Sequence, residues 1–167
     1  MTDKKLKSHR VNIDKIDKEI YALIQKRALH AVAIGKIKSK GSPKESYYKP
    51  DRETKILRNI LSANKKGLLP DSKIRAIYKE LISGCLSLEE ILKVAYLGPE
   101  ATHSEAAVHN QFGSQALRIP TSTIDDVFYQ VINDDVNLGV VPVENSSEGV
   151  INTTLNCLAD SKDIYII

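Results

Sequence analysis

From its first residues to Lys38 the chain carries a single helical pattern. Ile13, Ile16, Ile20, Leu23, Ile24, Ala31, Ile34 and Ile37 recur at helical spacing, and no Gly or Pro interrupts them before Gly35. A helix from about Lys4 to Lys38 is roughly 50 Å long at 1.5 Å per residue. A compact module of about 90 residues has a radius of gyration near 12 Å and cannot cover a rod of that length. The helix must therefore pack on something outside its own chain, most simply a second copy, and a dimer follows.

The stretch SKGSPKESYY reads as a loop. Pro50 then opens a second helix through Ile56, Leu57, Ile60 and Leu61, which stops at Gly67. Pro70 and Asp71 open a third, with Ile74, Ile77, Leu81, Ile82, Cys85, Leu88 and Leu92 on its apolar stripe. Residues 1–92 thus read as an all-α module of three helices per subunit, forming an intertwined dimer.

At Val94 the period changes. VAYLG reads as a short buried strand, followed by a Gly-Pro turn and a new helix start. The charge balance changes at the same point. Residues 1–93 hold 22 Lys+Arg against 11 Asp+Glu, whereas residues 94–167 hold 2 against 10, so the overall +3 conceals +11 and −8. A split this sharp marks two modules, 1–92 and 94–167.

Several classes of function drop out. No run of 18 apolar residues is present, which argues against a membrane span. MTDKKLKSHR has no apolar segment behind its charges and does not read as a signal peptide. Cys85 and Cys157 lie on opposite sides of the junction without metal-ligand spacing, as expected of reduced thiols in a cytoplasmic protein. His9, His30, His103 and His109 form no metal set. The basic half has few aromatics for base stacking, and its cations fall within an apolar stripe, which argues against nucleic acid.

Cations converging inside a helical bundle suit a small, highly charged anion. Arg27 and Lys38 are 11 residues apart, about 1100° at 100° per residue, so they share a helix face within roughly 20°. Arg10 lies 17 residues before Arg27, roughly 25 Å away, and only an antiparallel partner helix could deliver it to the same cluster. Arg52 and Glu53 stand in the first turn of the second helix, and Glu89 is placed one turn after Cys85 on the third.

HRVNIDKIDKEIYALIQKRALHAVAIGKIK, the later KPDRE and the ending LISGCLSLEE together resemble the all-helical chorismate mutases, over residues 6–92. The resemblance implies a Claisen rearrangement of chorismate to prephenate, with no covalent intermediate and no cofactor. Such a reaction needs the substrate folded into a compact conformer and its developing charge stabilised. On the matching positions, Arg27 and a partner-borne Arg10 would hold the two carboxylates, and Lys38 would donate to the ether oxygen. Arg52 would support the site, Glu53 would accept from the substrate hydroxyl, and Glu89 would give the ether oxygen a second hydrogen bond. An ionised carboxylate has no proton to donate, so Glu89 could act only when protonated. Two positions depart from the pattern. Lys49 stands where many relatives have an acidic residue, and Cys85, a weaker donor, stands where a small hydroxyl residue is common.

The second half reads βαβαβαβ: VAYLG, a helix from Ser104 to Phe112, ALRIP, IDDVFYQVI, LGVVPV, TTLNCLA and a final IYII. Strands alternating with short helices imply a mainly parallel sheet covered on both faces. Thr102-His-Ser-Glu105 reads as a capping box after a strand and a Gly-Pro turn, where backbone N–H groups can receive an anion. VAYLGPEATHSEAA and VVPVENSSEG, in that order, resemble the first lobe of prephenate dehydratase, a periplasmic-binding-protein-like fold. Its fusion to a helical mutase is the bifunctional P-protein of phenylalanine biosynthesis. The resemblance implies that Thr102, Ser104, Asn145 and Ser146 face a substrate crevice. Ala101 and His103 stand where relatives usually have Gly and Phe, and Ala101 suits poorly any backbone that needs positive φ. The second dehydratase lobe and the regulatory domain find no match in this sequence, so no dehydratase activity or phenylalanine feedback is expected of this chain alone.

The reading is a homodimeric, cofactor-free and metal-free chorismate mutase fused to an incomplete dehydratase lobe. Its ligands are chorismate and prephenate, with neither nucleic acid nor membrane as partner. The alternative is a non-catalytic ligand- or partner-binding fragment.

Overall fold

The computed structural model describes residues 2–40, 48–146, 149–162 and 164–167. Most of the loop assigned to SKGSPKESYY lies outside those residues. The helical module consists of α1 (Thr2–Lys38), α2 (Pro50–Ala63) and α3 (Asp71–Leu86). The second comprises β1 (Lys93–Leu97), α4 (His103–Phe112), β2 (Leu117–Thr121), α5 (Ile124–Ile132), β3 (Leu138–Val140), β4 (Glu144–Asn145), β5 (Gly149–Val150) and α6 (Asn152–Asp160).

With 37 residues, α1 is about 55 Å long. Its C-terminal turns pack on α3, burying Ala31 and Gly35. Residues 3–26 are exposed throughout, including Ile13 at 55% and Leu23 at 63%. The apolar stripe seen in the sequence is thus on the surface of the single chain.

The third helix is shorter than its apolar pattern suggests. It ends at Leu86, so Leu88 and Leu92 are not on it, and Glu89 lies in the turn beyond it. Glu89 N–H donates to Leu86 O at 2.8 Å and Leu88 N–H to Cys85 O at 3.2 Å, so the ladder tightens to three-residue turns. Six residues separate α3 from β1, and the chain must turn within them. Leu92 is buried in the core of the next module, with 7% exposure.

That module holds a parallel sheet ordered β2-β1-β3, with Val94 paired to Arg118 on one side and Leu138 on the other. Side chains alternate across β1. Val94 and Tyr96 pack with Val108 of α4, Leu92 and Ala116. Ala95 packs on the opposite face with Val127 of α5 and Val136. Both faces are therefore covered, as expected.

Two details of the strand reading are corrected. LGVVPV forms a strand only over Leu138–Val140, and the chain then enters an antiparallel hairpin, β4 with β5, that the alternating pattern did not suggest. IYII forms no strand. Ile166 is 83% exposed, and the segment pairs with neither outer strand of the sheet, β2 or β3.

The two modules share a core. Tyr48, the last residue before the approach to α2, is buried beside Val94, Tyr96 and Val108. Its ring meets Phe112 edge-on, with centroids 5.3 Å apart and planes at 68°, and its hydroxyl accepts from Gln111 Nε2 at 3.3 Å. One side of α3 grips the end of α4. Lys79 Nζ donates to the carbonyls of Asn110 and Gln111, where the helix dipole favours a cation. Glu80 Oε2 accepts from Ser114 Oγ at 2.5 Å, and Ser83 Oγ accepts from Gln115 N–H at 3.3 Å. Gly113 has φ +78°, and a Cβ there would stand 2.6 Å from Ser83 Cβ, so only glycine permits this close seat.

Replacing Tyr48 by Ala is expected to cost roughly 3 kcal/mol, measured by denaturant unfolding with amide exchange read at β1. Tyr48→Phe, which keeps the ring, is expected to cost about 1 kcal/mol or less.

Candidate functional site

The crossing of α1 on α3, with the turn after it, holds four of the residues singled out in the sequence. Arg27, half-buried, donates from Nη1 to Leu81 O of α3 at 3.1 Å. Eleven residues further along, Lys38 Nζ reaches Glu89 Oε2 at 3.0 Å, with both side chains largely enclosed. Cys85 is buried on α3, one turn from Leu81, with a free thiol. Helical periodicity alone put Arg27 and Lys38 on one face. The turn after α3 supplies the carboxylate, although not from the helical position assigned to it.

Other residues lie elsewhere in the single chain. Arg10 is exposed on the unpacked half of α1, about 25 Å from Arg27 along the helix. Arg52 is exposed in the first turn of α2. Glu53 lines a separate cleft of about 460 Å³ with Tyr48, Arg58, Arg75, Lys79 and Gln111. Burial raises the Glu53 carboxyl above its usual range and outweighs the attraction of Lys79. Burial likewise lowers Lys79, against the pull of Glu53, with Arg75 adding to the lowering.

In the second module, Thr102 and Ser104 follow the C-terminal end of β1, while Asn145 and Ser146 follow β3. These strands are adjacent and parallel, so both segments leave from the same, C-terminal end of the sheet. Thr102 and Ser104 are half-buried, and Asn145 and Ser146 exposed. Thr102 caps α4 by accepting from Glu105 N–H at 3.4 Å. The reciprocal bond of a capping box is not made to Thr102. Glu105 Oε2 instead accepts from Ala101 N–H at 2.6 Å, and its other oxygen pairs with Arg118 Nε at 3.4 Å. Ala101 has φ +61°, a left-handed conformation that costs a residue with a Cβ about 1 kcal/mol. A complete capping box does occur one helix later, between Thr123 and Asp126.

Three further features escaped sequence reading: the close seat at Gly35, the burial of Tyr48 across the junction, and the cleft around Glu53. The glycine inside GKIK was the one visible signal, since glycine is a poor helix former. Among the described residues no group of His, Cys, Asp and Glu could hold a metal ion, and no helix is long and apolar enough to cross a membrane.

Residues 9–90 match the family model for chorismate mutase type II, and residues 94–167 that for prephenate dehydratase. The bifunctional chorismate mutase/prephenate dehydratase of Stutzerimonas stutzeri is 43% identical over 164 residues, covering 96% of this chain and 44% of the relative. That of Aquifex aeolicus is 46% identical over 159 residues, covering 93% and 43% respectively. The prephenate dehydratase of Bacillus subtilis is 33% identical over 76 residues, 46% of this chain and 27% of the relative. The chain therefore spans less than half the length of these curated relatives.

The half-buried position of Glu53 has a consequence for pH. A carboxyl with a raised native value binds its proton more tightly when folded. Its contribution therefore opposes folding as pH climbs from the unfolded carboxylate range through the native value, and the penalty is complete above that. Glu53→Gln is expected to raise the unfolding midpoint at neutral pH. The gap should close below the unfolded carboxylate range, as checked by denaturant unfolding across pH.

Proposed function

The chain joins a chorismate mutase type II domain to part of a prephenate dehydratase domain, and from that premise we propose that its helical module, as a homodimer, rearranges chorismate to prephenate. The observation that carries this reading is the Lys38–Glu89 pair at 3.0 Å, on the same side of α1 as Arg27. It sets a cation and a carboxyl side by side at one end of the α1–α3 crossing, with a second cation at the other.

The rearrangement breaks the ether C–O bond as a new C–C bond forms, and the ether oxygen gains negative charge. Lys38 donates to that oxygen, and Glu89, when protonated, supplies a second hydrogen bond. Donors aimed where charge develops act mainly on the transition state, so they raise kcat rather than only tightening substrate. Arg27 holds one carboxylate and Arg10 of the partner subunit the other, keeping the flexible substrate in its reactive fold. The exposed apolar length of α1 and the distance from Arg10 to Arg27 support the dimer. Cys85 lines the α3 side as a weak donor. Arg52 and Glu53 stand apart from this cluster in the single chain, so the core assignment is Arg27, Lys38 and Glu89. Residues 94–167 carry the prephenate-facing segment, with Thr102, Ser104, Asn145 and Ser146 in the segments that follow the C-terminal ends of β1 and β3. The reading places both modules in the cytoplasm.

The first test follows chorismate, prephenate and phenylpyruvate together in one reaction of the purified chain. Loss of chorismate with gain of prephenate is expected, and Lys38→Ala should reduce kcat by roughly 10²–10³. Glu89→Gln, which keeps a hydrogen-bond donor beside Lys38, should retain more activity than Glu89→Ala. A folded dimer that leaves chorismate untouched overturns the proposal.

The shared site is tested by mixing subunits. Arg10→Ala and Lys38→Ala are each expected to be nearly inactive alone. Unfolded and refolded together in equal amounts, they should recover about a quarter of wild-type activity, because half the dimers then hold one intact site of two. No recovery in refolded heterodimers would place Arg10 outside the partner's site.

A further inference from the structure

Gly35 is the only glycine in the 37 residues of α1. Glycine weakens a helix interior, so its presence in a long helix calls for a local reason. The neighbouring turn supplies one. A Cβ on Gly35 would stand 3.0 Å from Glu89 Cα, 3.4 Å from Glu89 Cβ and 3.6 Å from Glu89 O. The closest of these is backbone, which cannot swing aside as a side-chain tip can. The backbone there is also held, because Glu89 N–H is bonded to Leu86 O at 2.8 Å.

The same turn carries the carboxylate that meets Lys38 at 3.0 Å. On α1, Arg27, Ala31, Gly35 and Lys38 fall within about 80° of one another at 100° per residue. The two cations thus bracket two small buried residues. Those small residues let α3 and its following turn come close, and the cations reach past them from both ends.

We propose that Gly35 is a positioning residue of the mutase site: its missing side chain sets how closely the Glu89 backbone approaches α1, and so where the Glu89 carboxyl stands beside Lys38. This rests on the mutase reading above and deepens it. Gly35 touches no reacting atom. A methyl group there displaces the Glu89 turn by a few tenths of an ångström, and a branched side chain displaces it further. Displacements of about 1 Å in a catalytic group are worth up to about 10²-fold in rate.

The experiment is a size series, Gly35→Ala, Gly35→Ser and Gly35→Val, made both in the wild-type chain and in Glu89→Ala, with kcat and KM measured for chorismate. In the wild-type background kcat should fall about 5-fold for Ala and up to about 100-fold for Val, with KM within about twofold. In the Glu89→Ala background the same substitutions should cost almost nothing further, because the group they displace is already gone. Equal losses in both backgrounds would overturn the proposal, since Gly35 would then merely support the bundle. So would an unchanged kcat in folded Gly35→Val. Should that variant fail to fold, the Ala and Ser variants carry the same comparison. A crystal structure of Gly35→Ala or Gly35→Val decides the point without any assay. A displaced Glu89 turn with a lengthened Lys38–Glu89 pair is expected, and an unmoved turn with the pair kept at about 3 Å overturns the proposal. If the wild-type dimer does not consume chorismate, the mutase reading fails, and the crystallographic comparison still decides the role of Gly35.

Discussion

The close crossing of α1 on α3 is the contact on which the helical module depends. It uses only the C-terminal turns of α1, where Ala31 and Gly35 are small enough for α3 and its following turn to sit against them. Arg27 ties one end of the crossing to a carbonyl of α3, and Lys38 ties the other to Glu89. A cation beside a largely enclosed carboxylate is tolerable because each satisfies the other, whereas either alone would carry a desolvation cost. The same crossing leaves the rest of α1 exposed, with its apolar stripe uncovered. The proposed dimer and the proposed active site are therefore two consequences of one packing choice.

α3 is a wall with two working sides. The Leu81 carbonyl and the Glu89 turn meet the cations of α1, while Lys79, Glu80 and Ser83 hold the end of α4 and the turn after it. The charge asymmetry between the halves finds one local use here, since a lysine of the basic half meets the negative end of a helix in the acidic half. Tyr48 completes the junction by filling the sheet core from the other module. The two modules are thus covalently sequential and also packed together, which accounts for Leu92 serving the sheet rather than the helix.

Much of this was legible in the residues. The three helices, the break before Val94, and the alternation of strands and helices follow from periodicity, and IDDVFYQVI coincides with α5. The common face of Arg27 and Lys38 follows from helix geometry. Ala101 stands where relatives usually have glycine, which raised a positive φ only as a condition; the backbone there does take φ +61°. The misses have a shared cause. Leu88 and Leu92 continue the apolar spacing of α3, but spacing cannot tell a longer helix from a tight turn that delivers a leucine to another core. IYII is apolar and β-branched like a strand, yet a strand forms only where the chain is brought to an open edge, and IYII pairs with neither β2 nor β3.

What the sequence determined by itself is local and one-dimensional. It set the period of each segment, the length of α1, the charge carried by each half, and which side chains share a helix face. Tertiary structure decided where faces from distant segments meet. Lys38 and Glu89 are 51 residues apart and come together only because a glycine admits the turn after α3. Glu53 lies near Lys79 in a different cleft, although its position beside Arg52 gave no sign of that. Such meetings depend on packing distances of a few ångströms between elements, and periodicity carries no information about those distances.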